Sequence, residues 1–211
     1  MDSPQNILVV EDQHLMRLAL VHELQAAIPA SVVHAAPTLE TAMDLVRSTS
    51  FALVFIDPGL PGGDPRSRGA RLKIVTALME ESVSAIHIVV TGSDSREEWE
   101  RFQRLGVAGY IAKNNLKPGM MNAILDDIAK HGSSVGLLHE TDTAPEVYHF
   151  ALSPREQEVL GWMRQKPAGI SRREIYDQLG EQMSIDAASA ERYYKRAKAK
   201  LLKYGSAPDS L

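Results

Sequence analysis

Five short runs rich in β-branched and aromatic residues, at 7–10, 32–35, 51–56, 86–90 and 107–111, are each followed by a stretch whose apolar residues recur at helical spacing. This alternation constrains the fold more than any other feature of the chain. Parallel strands need a crossover of a dozen or more residues, which a helix supplies, and runs apolar at consecutive positions belong in a sheet covered on both faces. The helical stretches carry Leu15, Leu18, His22 and Leu24; Leu39, Ala42, Met43 and Val46; Leu72, Val75, Leu78 and Met79; Trp99, Phe102 and Leu105; and Met121, Ile124, Leu125 and Ile128. Five such units predict a doubly wound α/β domain with a five-stranded parallel sheet, ending near Lys130.

Residues 131–150, with Gly132, Ser133, Ser134, Gly136 and Pro145 and no sustained period, read as a linker. Beyond it, Ser153 and Glu156 make a capping box with Pro154 at the first helical position, and Ser171 with Glu174 repeats the device. A third helix, capped by Asp186, has Ala187, Ala190, Tyr194, Ala197 and Leu201 on one face and Arg192, Lys195, Arg196 and Lys203 on another. The expected domains are therefore 1–130, a linker at 131–150, and a small all-α domain at 151–211.

Composition narrows the chemistry. There is no cysteine, and the seven histidines show no paired ligand spacing, which argues against disulfides, thiol catalysis and histidine-ligated metal. No segment approaches the roughly 18 consecutive apolar residues of a membrane span, and no basic stretch precedes the first apolar run, so a cytoplasmic protein without a membrane partner is expected. The net charge of −4 is uneven: residues 1–150 hold 12 basic and 19 acidic side chains, whereas residues 151–211 hold 11 and 8. Only the second part has the sign suited to nucleic acid.

In an open α/β sheet the ligand crevice lies beyond the carboxyl ends of the strands. Glu11 and Asp12 follow the first strand, Asp57 the third, Thr91 ends the fourth and Lys113 follows the fifth. Singly, Asp12 has an ordinary use as a helix cap and Asp57, before Pro58, as a turn initiator. Together the residues form an anionic pocket with one cation and one hydroxyl. Mg2+ would relieve the repulsion among three carboxylates, and phosphoryl transfer is the chemistry that uses every member. Asp57 would attack phosphorus, while Lys113 and the Thr91 hydroxyl would hold the phosphoryl oxygens.

The segments ILVVED at 7–12, FIDPGLP at 55–61, VVTG at 89–92 and GYIAK at 109–113 resemble the receiver family of two-component response regulators, over residues 7 to about 130. That resemblance implies a flavodoxin-like fold with Asp57 as phosphoacceptor. It implies Asp12, Asp57 and the Gly59 carbonyl as Mg2+ ligands, Glu11 acting through water, and Tyr110 as an aromatic switch coupled to Thr91. The donor would be a phosphohistidine on a sensor histidine kinase. One departure is the third-strand loop, where Gly69 stands four residues later than the family's usual glycine. Arg66, Arg68 and Arg71 lie there beside the acidic site, where the alternatives are a role in the lifetime of the phosphoryl group and a solvated loop, the second being the expectation.

The segments ALSPREQEVL at 151–160 and GISRREIYDQLG at 169–180 resemble the helix-turn-helix of LuxR/FixJ-type regulators and the related sigma-factor region 4. In such folds the last helix enters the major groove of duplex DNA, which makes Arg192, Lys195, Arg196 and Lys203 the candidate contacts. The family's Thr-Val-Lys start of that helix is missing. Only six residues follow position 205, too few for the fourth helix that pairs many such domains, so homodimerisation through the receiver is expected. A phosphatase of the haloacid dehalogenase type, the enzyme alternative, needs a second acid two residues after its nucleophile, where Gly59 stands. A non-enzymatic regulator is thus expected, and the nearer alternative is a helical domain that binds RNA or a protein partner.

Overall fold

The computed structural model describes residues 4–61, 67–136, 152–165 and 169–204. Residues 62–66 of the enlarged loop expected over 62–69, Arg66 among them, and most of the expected linker lie outside these. Strands β1 (Gln5–Val10), β2 (Ser31–Ala36), β3 (Leu53–Ile56), β4 (Ile86–Thr91) and β5 (Gly109–Ala112) alternate with helices α1 (His14–Ala27), α2 (Leu39–Ser48), α3 (Arg68–Glu81), α4 (Arg96–Arg104) and α5 (Met120–His131). All pairings are parallel, in the order β2-β1-β3-β4-β5, with a further strand beside β5.

The sixth strand, β6 (Ser134–Gly136), corrects the five-stranded expectation. Gly132 ends α5 in the left-handed region, at φ +79°, and turns the chain back alongside β5, where the Ser134 amide donates to Ala108 O at 2.8 Å. With Val135 as its sole large apolar residue, the segment carries no strand periodicity, so its sequence reads as linker.

The sheet divides two apolar layers. Ile7, Val9, Phe55 and Ile88 face α1 and α5, while Leu8, Val54, Val89 and Tyr110 face α2, α3 and α4. In α1 the buried positions are Leu20 and Leu24, whereas Leu15 and Leu18 are exposed. The helix forms as expected, and of its expected stripe Leu24 is buried while Leu15, Leu18 and His22 are exposed. None of the helices among the described residues is long and apolar enough to cross a membrane.

Helices α6 (Pro154–Gln165), α7 (Arg172–Met183) and α8 (Ala187–Tyr204) form a bundle around Val159, Ile175, Leu179, Ala190 and Tyr194. The caps form as expected: Ser153 and Glu156 bond reciprocally at 3.3 and 2.8 Å, and Asp186 accepts from the Ser189 amide at 2.8 Å. The bundle sits on the receiving sheet domain through α8, whose Ala199 and Leu202 join the core on the α5 side. Near Gly132, at the end of α5, stands Arg192, and near Asn122 and Asp126, at its start, stands Lys203, so the two helices run antiparallel.

Candidate functional site

The parallel register of β1 and β3 pairs Val10 with Ile56, and the next residues, Glu11 and Asp57, emerge side by side at the sheet's carboxyl edge. The Asp57 amide extends that ladder by donating to Val10 O at 2.8 Å. On the other side of β3, β4 pairs Thr91 with Ala112 of β5, which sets Lys113 beside the same crevice. Glu11 is fully buried, Asp57 nearly so, and Asp12 exposed.

Carboxylate oxygens of Glu11, Asp12 and Asp57 lie within 4.8 Å of one another. The Lys113 ammonium is 2.7 Å from Asp57 Oδ2 and 2.8 Å from Glu11. Burial, reinforced by the charge of Asp57, raises the Glu11 pKa against the opposing pull of Lys113. Burial alone would lower Lys113, but its hydrogen bonds to Asp57 and Glu11 outweigh that and raise it. Gly59 meets Asp57 through its amide, which donates to Oδ1 at 2.8 Å, and a Cβ there would stand 3.2 Å from that oxygen. Three carboxylates converging within 4.8 Å, with the Lys113 ammonium as the cation beside them, supply the oxygen donors that a hard divalent cation such as Mg2+ prefers.

Thr91 is buried, and its hydroxyl oxygen accepts from the Ser93 amide at 3.1 Å and from Arg71 Nη2 at 2.5 Å. Tyr110 is fully buried; its hydroxyl lies 2.8 Å from Glu98 Oε2 and 3.0 Å from Ser93 O. Burial foremost raises the Tyr110 pKa, so the phenol stays protonated. Arg71 departs from the expectation of a solvated loop, since it holds Thr91 and also lies 2.7 Å from Glu98 Oε1, both side chains mostly buried.

A sequence model of the response regulator receiver domain matches residues 7–125. The chain belongs to the response regulator receiver family. No curated protein matches the sequence. Among solved structures, the RcsB response regulator of Salmonella typhimurium shares the fold over 99% of this chain and 95% of its own, at 16% identity and a TM-score of 0.52. The chemotaxis protein CheY4 of Vibrio cholerae matches 59% of this chain and 98% of its own, at 18% identity and a TM-score of 0.50.

The expected contacts of α8 lie differently from the sequence reading, which turned them all toward a groove. Lys195 is buried, 3.5 Å from Glu191, and burial lowers its pKa to about 8. Arg196 turns inward, 3.3 Å from Glu156 Oε1, and Lys203 pairs with Asp126 of α5. Arg192 is exposed, yet its Cγ would stand 2.5 Å from a Cβ at Gly132. For Arg192 and Lys203 the reason is that the face opposite the bundle core packs on α5, whereas Arg196 is drawn into the bundle by Glu156 of α6.

Three residues escaped the sequence reading. Glu156, read as a cap alone, is fully buried and also holds Lys200 at 2.9 Å. Arg71 and Glu98 bridge Thr91 and Tyr110. A signal for Arg71 exists, because α3 opens with Arg68 and Arg71 and has no acid in its first turn, against the preference of the helix dipole.

Proposed function

We propose that this chain is a cytoplasmic response regulator that accepts a phosphoryl group on Asp57 from a sensor histidine kinase and, in response, exposes a helix-turn-helix to duplex DNA. The observation that carries the reading is the Lys113 ammonium 2.7 Å from Asp57 Oδ2, with Thr91 ending the strand next to that of Lys113. A carboxylate oxygen of Asp57 forms the bond to phosphorus as the P–N bond of the donor breaks, and the donor imidazole leaves. Mg2+ held by Glu11, Asp12 and Asp57 would offset charge on the phosphoryl oxygens. Lys113 keeps its positive charge beside the new phosphoryl group, and the Thr91 hydroxyl has its own hydrogen to donate. Signalling rather than substrate turnover is the output.

DNA binding by α8 requires it to leave α5, because Lys195 and Lys203 are engaged in the docked form. Phosphate oxygens of DNA then replace Asp126 as the partner of Lys203. The same departure uncovers α5, so we assign homodimerisation through the receiver to the released form. One observation favours a second reading, in which the bundle binds a basic protein partner: Asp177, Glu181 and Asp186 are exposed together around a shallow hollow where α7 meets α8.

Acetyl phosphate with Mg2+ labels the wild type on one residue, and Asp57→Asn abolishes the label; undiminished labelling of the variant overturns the assignment. Selection from random duplex DNA with labelled protein enriches a paired site. Labelled protein that binds no duplex favours the protein-partner reading.

A further inference from the structure

Four side chains connect the phosphoryl pocket to the aromatic ring behind it. Arg71, from the first turn of α3, donates through Nη2 to Thr91 Oγ1 at 2.5 Å and presents Nε to Glu98 Oε1 at 2.7 Å. The other oxygen of Glu98 lies 2.8 Å from the Tyr110 hydroxyl. Arg71 and Glu98 are 15% and 17% exposed, so this is no solvated surface pair. They border a cleft of about 500 Å³ between α3 and α4, which gives both side chains room to move.

The geometry points to Arg71 as the positioning residue that passes occupancy of the Asp57 pocket to Glu98, and through Glu98 to Tyr110; this rests on Asp57 being the phosphoacceptor. Thr91 Oγ1 already accepts two hydrogen bonds, and its remaining hydrogen is the group a phosphoryl oxygen would take. Two groups bonded to one hydroxyl lie within about 6 Å of each other, which puts the guanidinium within reach of the phosphoryl group. The phosphoryl carries about −1.5 to −2 charge against −1 on Glu98, and draws Arg71 toward it. Glu98, left largely buried without its cation, turns toward the cleft and releases the Tyr110 hydroxyl. The link would be lost with any side chain at 71 that cannot hold two acceptors at once.

Trp99, buried with its ring centroid 6.0 Å from that of Tyr110, reports the movement. The full chain carrying Trp162→Phe leaves Trp99 as the single indole. Beryllofluoride with Mg2+ is followed by its bound fluorine resonance, which reads occupancy, and by Trp99 emission, which reads the switch. The parent should show both signals. Compared at beryllofluoride concentrations that saturate the bound fluorine resonance of each protein, Arg71→Gln should lose at least about fivefold of the emission change, the low end of a coupling between sites. Glu98→Gln should match it, and the double variant should be no worse than either. Arg71→Gln with an undiminished emission change, or a parent that binds without any change, overturns the relay alone. A parent with no bound fluorine resonance overturns the Asp57 reading and the relay with it.

Discussion

The Tyr194 hydroxyl donates to the carbonyl oxygen of Ser84 across 2.7 Å, joining the middle of α8 to the turn ahead of β4. Lys198, one helical turn later, donates to the same oxygen at 2.7 Å, and Arg172 Nη1 takes the neighbouring Val83 carbonyl at 2.8 Å. The bundle thus grips the receiver at the amino end of β4, whose carboxyl end carries Thr91.

Tyr194→Phe removes one of these bonds and keeps the ring in the bundle core. A hydrogen bond contributes about 1 kcal/mol, about a fivefold shift toward the undocked form. Amide exchange should quicken in α5 and at residues 82–86, and sedimentation should show more dimer without any phosphoryl group. Unchanged exchange at both places would count against docking through this contact.

The buried lysines set a pH dependence. Burial lowers both Lys195 and Lys198 to about 8, below the ordinary 10.5 of an undocked lysine. The undocked state therefore binds more protons between those values, and docking strengthens as pH rises from 8. Tyr194 acts oppositely: burial first, then Tyr176, raises its pKa, so ionisation of the undocked phenol near pH 10 weakens docking from there upward. Thermal stability should climb between pH 8 and 10 and then fall. Lys198→Met should shrink the climb; a wild type losing stability across that interval contradicts the assignment.

Glu156→Gln leaves Lys200 and Arg196 facing a neutral amide inside the bundle. Loss of one partner of a buried ion pair costs about 3 to 5 kcal/mol, so unfolding of residues 152–204 should separate from that of the receiver in calorimetry. Arg196→Ala should destabilise the bundle more mildly, because Lys200 still holds Glu156. If Arg196→Ala instead weakens DNA binding with no change in bundle stability, the side chain reads DNA.

The sheet is legible from sequence from β1 to β5 because each of those strands is short, apolar and followed by an amphipathic stretch, whereas β6 has neither mark; the pocket is legible because its members sit at the ends of β1, β3, β4 and β5. The expected stripe of α1 holds at Leu24 and fails at Leu15 and Leu18 for a physical reason: Leu15 with Leu18 and Leu20 with Leu24 are both at helical spacing, and periodicity alone does not say which pair meets the core. Arg196 is misread because Glu156, forty residues earlier, already has a complete local explanation as a cap. Arg71 acts through a reach from α3 to the end of β4 that neither element's own pattern encodes.

The place of β2 in the strand order has a consequence for self-association. A sheet edge recruits another chain through its unpaired backbone groups. Among the described residues β2 is an outer strand six residues long, with Val32 43% exposed. Two molecules that met there edge to edge would each consume the other's edge, so pairing through β2 limits itself to two.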